Sequence, residues 1–386
     1  MLFRRRFLIF LIACFEVFSA AAQTDTCRFQ ISLLTCGPGE DLYSMWGHTA
    51  IRVRNRYNRT DYVFNYGTFD DSDPYFYVKF TRGIMRYSLS VETMSEFMQE
   101  YVIEQRSVQE QILQLSCSEK EKLVKALEQN ALEANRYYNY HFYQDNCTLR
   151  ARDIIANNCG NKVSYKNILP YPHITFRNAI NGYLDQGGQL WSKFGINVLL
   201  GSHLDKEMDN QNAMFLPDYL FKGFDSASNG NARLVSETKN ILPPNTNHSG
   251  SAWITPSLVF TVLLIIGLIL SLSRSSRFKT LTRIFDIIVF FCIGLLGILI
   301  AALWLGRVDA VCRNNINILW AWPTHAIVIF LAARKKAWIR NYFLVAASLG
   351  IILLLGWKWW PQELPTAALP IVFLVVVRSI FIAQKK

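Results

Sequence analysis

The sequence lacks the short motifs that identify several large enzyme classes. No His-Glu-x-x-His pair for zinc, no glycine-rich phosphate loop and no Gly-x-Ser-x-Gly elbow occurs in its 386 residues. The eight cysteines match no zinc ribbon or zinc finger spacing, and the chain has no internal repeat or low-complexity tract. These absences argue against zinc, phosphate-loop and serine-hydrolase chemistry, and we expect neither a metal nor another cofactor.

Charged residues are also scarce, at 18% of the chain, and its last third is strongly apolar. Five apolar runs there approach the roughly 20 residues that span a bilayer. The final two runs are short, so we predict a transmembrane domain over residues 254–386 with four or five helices. The runs are Ile254–Leu272, Ile284–Leu305, Ile316–Ala333, Ile339–Leu355 and Ala367–Ile382.

Basic residues outnumber acidic ones by 40 to 29, and much of this excess lies in loops between the apolar runs. By the positive-inside rule such loops face the cytoplasm, so the domain before the first run lies outside. The net charge of +11 therefore implies no nucleic-acid partner. The basic residues follow the first run (Arg274, Arg277, Lys279 and Arg283) and the third run (Arg334, Lys335, Lys336 and Arg340).

The N-terminus has the features of an export signal. Arg4–Arg6 form a basic region, Phe7–Phe18 an apolar core and Ser19–Ala22 a small-residue cleavage site, so we predict a signal peptide over residues 1–22. Leu11–Cys14 alternatively resembles a lipoprotein processing box, and an uncleaved anchor is a third interpretation. All three put the following domain, residues 23–238, outside the cytoplasm. A polar, proline-containing linker over residues 239–253 then joins this domain to the membrane.

The pattern of the exported domain predicts an α+β fold. Phe29–Cys36 and Asp61–Tyr66 are typical of strands, and alternation over Thr49–Val53 indicates a half-buried strand between them. Ile112–Leu115 is a further candidate strand, and Ser118–Glu121 predicts a capping box at the start of a helix. We expect an antiparallel sheet with helices packed to one side.

Cys147 is the candidate nucleophile of this domain. Asn146 can cap a helix, and a thiol at the start of a helix meets the positive end of the helix dipole, which favours the thiolate. The alternatives are a buried core cysteine or a disulfide partner. An odd number of cysteines in the domain leaves at least one thiol free unless two molecules pair. The five are Cys27, Cys36, Cys117, Cys147 and Cys159.

A base must lie within hydrogen-bond reach of that thiol, and two histidines are candidates. His48 opens the alternating strand, whereas His141 lies six residues before Cys147 in an aromatic segment. Sequence distance leaves the choice open, and a purely structural histidine is the other alternative. Asn65 is polar in an otherwise apolar strand, so it either orients an imidazole or starts a turn. Arg82 either meets a phosphate or is an ordinary surface residue.

The order of these residues resembles the circularly permuted papain-like enzymes, which include the NlpC-type peptidases and the lecithin–retinol acyltransferase-like acyltransferases. In the latter a first His opens a strand, a second polar residue lies on the next strand and an Asn-Cys pair opens a helix. His48, Asn65 and Asn146-Cys147 follow that order. Asn65 differs from the His often found at the second position. The resemblance implies a permuted papain-like outer domain followed by a helical transmembrane bundle.

The sequence is still more similar to a bacterial family of exported proteins whose membrane-tailed members resemble the lipoprotein N-acyltransferase of species lacking the nitrilase-like enzyme. This resemblance implies a phospholipid donor and, as acceptor, the amine of a diacylglyceryl-cysteine lipoprotein. It also implies a bacterial inner-membrane protein with its catalytic domain on the periplasmic side. The shared motifs are Thr35–Gly39, Gly47–Val53, Asn65–Asp70, Asp145–Asp153 and Met214–Pro217.

We therefore predict a ping-pong acyl transfer through a thioester on Cys147. His48 serves as acid and base, Asn65 orients it, and backbone N–H groups at the helix start bind the oxyanion, with Tyr143 and Asn146 as further candidates. The alternatives are a cell-wall cysteine peptidase or amidase, a phospholipase, and a non-catalytic envelope assembly protein.

Polar and aromatic residues flank the apolar runs on the outer side. Asn314, Asn315 and Asn317 adjoin the third run, and Trp357, Trp359 and Trp360 follow the fourth. They line either a path for lipid or, as we favour, an interfacial belt.

Overall fold

The computed structural model describes residues 26–41, 43–69, 74–244, 253–273, 275, 277–334 and 336–384. The predicted signal peptide and residues 245–252 of the predicted linker lie outside the described residues. An antiparallel sheet with helices forms the first part of the chain, and a helical bundle forms the second. The predicted α+β class of the outer domain and the predicted helical class of the tail are both confirmed.

The main sheet of the outer domain has seven strands in the order β10-β5-β1-β2-β3-β4-β6, with every neighbouring pair antiparallel. All four predicted strands lie in it, and the fourth is longer and earlier than Ile112–Leu115. The strands are β1 (Phe29–Cys36), β2 (His48–Asn55), β3 (Thr60–Thr68), β4 (Arg86–Thr93), β5 (Val108–Leu113), β6 (Tyr137–Asn139) and β10 (Val235–Leu242). A small second sheet contains β7 (Val163–Ser164), β8 (Ser228–Asn229) and β9 (Ala232–Arg233).

Eight α-helices accompany the sheets within the described part of the outer domain. They are α1 (Phe76–Arg82), α2 (Met94–Ile103), α3 (Cys117–Ala131), α4 (Cys147–Asn158), α5 (Phe176–Gln186), α6 (Leu190–Leu199), α7 (Asn210–Ala213) and α8 (Pro217–Ser226). Helix α3 begins with a capping box formed by Ser116 and Glu119, so the predicted box at Ser118–Glu121 lies two residues too late. Ser116 adopts the extended backbone of an N-cap, whereas Ser118 is already helical.

Helices cover both faces of the main sheet rather than the single face that was expected. Ile31 and Leu33 of β1 point to one face, where they pack in the same core cluster as Leu123 of α3 and Ile155 of α4. Leu34, on the other face, packs in a second cluster with side chains of α2. Because side chains alternate between the two faces along a strand, each face of this sheet carries its own set of apolar side chains. Each set must therefore be buried by helices on its own side. A disulfide between Cys27 and Cys117 ties the start of β1 to the start of α3.

Within the described residues, the bundle contains five apolar helices that correspond to the five apolar runs: α9 (Pro256–Leu272), α10 (Arg277–Gly306), α11 (His325–Leu331), α12 (Ala337–Leu355) and α13 (Leu369–Gln384). Three helical segments of the described chain are long and apolar enough to cross a membrane: Phe278–Gly306, Ala337–Leu355 and Thr366–Gln384. The fourth and fifth runs, which were expected to be short, thus form helices long enough to cross a membrane, whereas the helices of the first and third runs are shorter than that. The third run is interrupted because Pro323 cannot continue a helix and α11 begins only after it.

A buried ion pair fixes three helices of the bundle to one another. Arg378 of α13 donates two hydrogen bonds to the carboxylate of Asp286 on α10, at 2.7 and 2.9 Å, and a third to Ser271 of α9. Arg378 and Asp286 are almost fully buried. A buried charge without its partner is strongly destabilising, so this pair holds the three helices in one arrangement.

A second buried polar cluster joins the outer domain to the outer loops of the bundle. We call it the polar joint, and its members are Arg177, Asn197, Asn315, Asn317 and Gln362. Asn315 Nδ2 donates to the carbonyl of Val198 at 2.8 Å, and Gln362 Nε2 donates to that of Leu200 at 3.0 Å. Asn315 and Asn317 are fully buried, so the expectation that they line a lipid path or an interfacial belt is wrong for both.

Arg177 is the centre of the polar joint on the side of the outer domain. Its guanidinium donates to Asp205 Oδ1 at 2.8 Å, to Asn197 Oδ1 at 2.9 Å and to the carbonyl of Gly201 at 2.9 Å. The segment after α6 is therefore held from both sides, by Arg177 and by the bundle loops. The two parts of the molecule meet through directional hydrogen bonds, which define one relative orientation.

Candidate functional site

The sheet and helix α4 bring His48, Asn65 and Cys147 together. His48 begins β2, Asn65 lies on the neighbouring strand β3, and Cys147 is the first residue of α4, which packs against both strands. Gly47 sets the start of β2, because it has a φ of +78° and a Cβ there would lie 2.5 Å from the carbonyl oxygen of Cys36. The sequence-based grouping of these three residues therefore corresponds to one location in the fold.

The imidazole of His48 is held in one orientation by a chain of two hydrogen bonds. His48 Nε2 lies 2.7 Å from Asn65 Oδ1, and Asn65 Nδ2 donates to Glu92 Oε1 at 3.0 Å. A carboxylate only accepts hydrogen bonds, so Glu92 fixes which end of the Asn65 amide faces His48. An amide oxygen has no hydrogen to donate, so Nε2 carries the proton and Nδ1 is left for the thiol.

Cys147 lies at the N-terminus of α4 with its side chain turned towards His48. Asn146 caps the helix by accepting a hydrogen bond from the backbone N–H of Leu149 at 2.9 Å. Thr148 Oγ1 lies 3.7 Å from the sulfur, and the side chain of His48 and the backbone N–H of Thr49 are close enough to lower the pKa of the thiol. Cys147 is 8% exposed, so its environment is set by these groups rather than by bulk water.

The two side chains shift each other's pKa in opposite directions. Burial by itself would raise the pKa of Cys147, but the charge and the hydrogen bond of His48 outweigh it and lower that pKa below 9.0. Burial by itself would lower the pKa of His48, but the thiolate of Cys147 and the hydrogen bonds to Cys147 and Asn65 raise it above 6.5. The pair therefore favours thiolate and imidazolium, which can attack a carbonyl carbon and protonate a leaving group.

Gly67 keeps the space in front of this pair open. It has a φ of +96°, and a Cβ at this position would lie 3.4 Å from the Cβ of Cys147 and 3.6 Å from Cε1 of His48. Any other residue would place a Cβ in van der Waals contact with both side chains, and would also adopt a backbone conformation that is unfavourable for it. The opening at Gly67 is therefore where a small group of a substrate can reach both side chains.

Aromatic rings line one side of the site. Tyr87 and Tyr140 stack with their ring centroids 4.3 Å apart, and Phe69 packs on Tyr87 with a centroid distance of 5.2 Å. Cys147 belongs to the same core cluster as Tyr87, and Phe69 and Tyr140 pack against that cluster. The nucleophile thus has an apolar wall beside it, a surrounding that suits a substrate with an apolar chain.

His141, the rival base, lies elsewhere. Burial lowers its pKa, and the charged groups that act on it include Asp309 and Arg307, which follow α10. Its ring stacks edge-on against Tyr143 at 4.6 Å between centroids. His141 contributes to the contact between the outer domain and the bundle, so His48 is the histidine that partners Cys147.

Two other candidates of the sequence analysis have contacts that differ from those expected. Tyr143 packs against Phe176 in a core cluster separate from that of Cys147. Both amide hydrogens of Asn146 are used, for the carbonyls of Phe142 at 2.7 Å and Phe215 at 2.8 Å, so its side chain has no donor left for an oxyanion. Tyr143 is thus engaged in ring packing and the Asn146 amide in hydrogen bonds with backbone carbonyls, and a direct role of either in oxyanion binding stays a prediction.

Arg82 is exposed at the end of α1, where it adjoins the bundle. Its carbonyl accepts a hydrogen bond from the backbone N–H of Val308 at 3.0 Å, just after α10 ends. The backbone of Arg82 therefore lies at the junction of the two parts, and its contact with a phosphate stays a prediction. Over the residues that the structure describes, no group of three or more His, Cys, Asp or Glu side chains is arranged to hold a metal ion.

Glu92 and Gly67 were not predicted from the sequence as residues of the site. Glu92 lies on β4, a strand that was not predicted, and pairs with Val63 beside Asn65 across the β3–β4 ladder. A prediction of β4 with its register would have identified Glu92 as the diagonal neighbour of Asn65. The glycine after Asn65-Tyr66 was visible, but only the fold shows that Cys147 lies opposite it.

Replacing Glu92 with alanine is expected to slow the reaction of the site by roughly 10- to 100-fold, because the amide of Asn65 can then rotate and release His48. Glu92→Gln is the matched control, since its amide oxygen can still accept from Asn65 Nδ2. The rate is measured as acylation of the thiol, with the thermal unfolding midpoint as a check on folding. Equal rates for the alanine and glutamine variants would contradict a positioning role.

Two family models match the chain. The Lnb N-terminal periplasmic domain matches residues 17–182, and the Lnb transmembrane domain matches residues 247–386. The first match includes His48, Asn65 and Cys147, and the second includes all five apolar helices of the bundle. No curated protein and no solved structure shows significant similarity to the chain.

Proposed function

Because this chain is a membrane protein of the Lnb type, with a periplasmic domain before its transmembrane domain, we propose that it is a thiol acyltransferase of lipoprotein processing. The donor is a phospholipid, and the acceptor is the amine of a diacylglyceryl-cysteine lipoprotein in the bacterial inner membrane. The observation that carries the proposal is the thiol–imidazole pair of Cys147 and His48, at the start of a helix, α4, that shares a core cluster with residues at the outer end of a membrane helix.

The contact between α4 and the bundle supports substrates that reside in the membrane. Leu149 of α4 shares a core cluster with Val311 and Cys312, which follow α10, and Leu303 of α10 packs against it. Cys147 is therefore two residues away from a side chain that shares a core cluster with the residues after α10. An enzyme for a soluble peptide would not need this contact. An enzyme whose ester or amine substrate is held at the bilayer surface would need it, because it keeps the thiol near that surface.

A second contact between the outer domain and the bundle joins α1 to the residues that follow α10. Arg307 Nη1 donates to the carbonyl of Phe80 in α1 at 2.9 Å, and Val308 donates to the carbonyl of Arg82. Val78 and Phe80 of α1 are 55% and 42% exposed, and Leu305 near the end of α10, the helix that α1 contacts, is exposed too. Apolar side chains beside an exposed arginine suit the acyl chains and the phosphate of the donor lipid.

The first half of the reaction transfers the acyl group to the protein. The thiolate of Cys147 attacks the ester carbonyl carbon, a C–S bond forms, and the carbonyl oxygen becomes an oxyanion beside the N-terminus of α4. The oxyanion collapses and the C–O bond to the glycerol breaks. His48 gives its proton to the departing lysophospholipid oxygen, which leaves a thioester and a neutral imidazole.

The second half transfers the acyl group to the acceptor. The neutral amine of the lipoprotein attacks the thioester carbonyl, a C–N bond forms, and His48 accepts the proton that the amine loses. The C–S bond then breaks, which produces an amide and restores thiolate and imidazolium. Asn65 keeps Nε2 protonated throughout, so that Nδ1 alone exchanges protons with the substrates.

Intact-protein mass spectrometry after incubation with labelled phospholipid and no acceptor tests this proposal. We expect an acyl-sized, hydroxylamine-sensitive adduct on the wild-type chain and none on Cys147→Ala. Cys159→Ala is the matched control, because Cys159 is another free, buried thiol of the outer domain and should leave the adduct intact. Addition of a diacylglyceryl-cysteine peptide should then remove the adduct and yield a triacylated peptide.

The other outcomes identify different functions. Release of free fatty acid as the main product, with the peptide unmodified, would indicate a phospholipase. Absence of both adduct and lysophospholipid would overturn the proposal and favour the cell-wall peptidase or a non-catalytic role. An adduct on Cys147→Ala would mean that another residue carries the acyl group.

A further inference from the structure

The hydroxyl of Tyr138 is buried beside the site and has no hydrogen-bond partner within the described part of the chain. Tyr138 lies on the three-residue strand β6, opposite Tyr87 of β4, and is 8% exposed. The Arg150 guanidinium lies over its ring at 3.6 Å, and Tyr66 meets the ring edge-on. The ring is therefore fixed, and the hydroxyl is held where none of the described residues satisfies it.

The direction of this hydroxyl is given by the opening at Gly67. The position of a Cβ on Gly67 would lie 4.0 Å from Tyr138 Oη, 3.6 Å from Cε1 of His48 and 3.4 Å from Cβ of Cys147. Nucleophile, base and phenol thus converge on one small space. Buried hydroxyls normally have partners, and an unpartnered one that points to a reactive thiol indicates that its partner arrives with the substrate.

We propose that Tyr138 Oη donates a hydrogen bond to the carbonyl oxygen of the acyl substrate and stabilises the oxyanion that forms when Cys147 attacks. The second donor is the backbone N–H of Cys147, which as the first residue of α4 has no acceptor within the helix. This inference rests on the proposed acyl transfer and adds a catalytic residue to it. The bond strengthens as negative charge develops on the oxygen, so it favours the transition state over the bound ester.

The environment of Tyr138 keeps the phenol in its donating form. Burial and the charge of Cys147 raise its pKa well above the usual 10.0, although Arg150 acts in the opposite direction. A protonated phenol can only help an oxyanion by donating, and no ionised Tyr138 competes for the proton on His48. Tyr143, which the sequence suggested for this task, lies in the cluster with Phe176 and contacts the bundle instead.

The test is Tyr138→Phe in the full-length chain, with two reactions of the same thiol compared. Acylation by labelled phospholipid passes through an oxyanion, whereas alkylation by iodoacetamide does not. We expect acylation to fall by roughly 100-fold, the loss typical of one oxyanion donor, and alkylation to stay at the wild-type rate. Tyr165→Phe is the matched control, because Tyr165 also has a buried hydroxyl with no partner in the described residues but packs on Phe224.

Each result supports or overturns the inference. Phenylalanine fills the same volume and removes an unsatisfied hydroxyl, so the thermal unfolding midpoint should not fall. Unchanged acylation, or an equal loss of acylation and alkylation, would overturn the role in oxyanion binding. If the wild-type chain forms no adduct at all while alkylation proceeds, the proposed acyl transfer itself fails, and this outcome is distinct from a loss confined to Tyr138→Phe.

Discussion

An alanine in place of His48 is expected to lower the rate of acyl transfer by about 1,000-fold. The variant loses the proton donor for the lysophospholipid and the acceptor for the amine proton. It also loses the charge and hydrogen bond that lower the pKa of Cys147, so less thiolate is present at neutral pH. The rate is measured as transfer of a labelled acyl chain from phospholipid to a diacylglyceryl-cysteine peptide.

The matched control is His141→Ala, which removes the other histidine of the sequence prediction. The imidazole of His141 is influenced by Asp309 and Arg307 at the contact with the bundle, so acyl transfer should stay near the wild-type rate. A large loss in His141→Ala together with a normal rate in His48→Ala would reverse the assignment of the base.

The pH dependence of the pair follows from the directions of its two shifts. The thiolate of Cys147 is present above its lowered pKa and is lost as the pH falls through that value. The imidazolium of His48 is present below its raised pKa and is lost as the pH rises through that value. Alkylation by iodoacetamide should therefore rise with pH already below 9.0, and in His48→Ala this rise should move to higher pH, since only Thr148 and the backbone N–H of Thr49 then oppose the effect of burial on the thiol.

Gly67→Ala is the second substitution with a large expected effect, a loss of acyl transfer of more than about 100-fold. The added methyl group lies 3.4 Å from the Cβ of Cys147 and 3.6 Å from His48, in the space that the ester carbonyl must enter. The measurement is the yield of the hydroxylamine-sensitive adduct at short times. The pair itself should persist, so the pKa of the thiol should change little.

The experiment must separate the backbone strain that an alanine causes at a positive φ from the blockage of the space beside Cys147. Gly67 has a φ of +96°, and an alanine in left-handed backbone costs about 1–2 kcal/mol of stability wherever it is put. Gly230→Ala is the matched control, because Gly230 also has a positive φ, of +62°, and lies in the turn between β8 and β9. Comparable losses of adduct in both variants would show that instability, rather than a blocked opening, explains the effect.

His48, Asn65 and Cys147 could be predicted because each has a local signal. These signals can be recognised in the sequence alone. His48 begins an alternating strand after a glycine, Asn65 is a polar residue in an apolar strand, and Cys147 follows an asparagine that can cap a helix. Their spacing then matched a known arrangement. The part of the fold that carries them, β1 to β3 and α4, was predicted for the same reason.

Glu92, Gly67 and Tyr138 could not be predicted because their roles depend on strand register. Tyr138 lies on a strand of three residues within an aromatic segment, where the sequence indicates packing but not direction. Glu92 acts only through Asn65, across a ladder whose partner strand was missed. Asn315 and Asn317 were misread for a related reason, since hydropathy distinguishes membrane from water but not either of them from a protein interior.

The polar joint has a consequence for how substrates would reach the thiol of such an enzyme. Because Arg177 and Asn315 hold the outer domain on the bundle, the height of Cys147 above the bilayer is fixed, and the protein cannot lower its thiol into the lipid or lift it to a distant partner. In the proposed acyl transfer, donor and acceptor would both have to arrive by lateral diffusion at one point in the plane of the membrane. Turnover would then follow the mole fraction of each substrate in the surrounding lipid rather than its bulk concentration, and dilution of the membrane with inert lipid would slow both half-reactions.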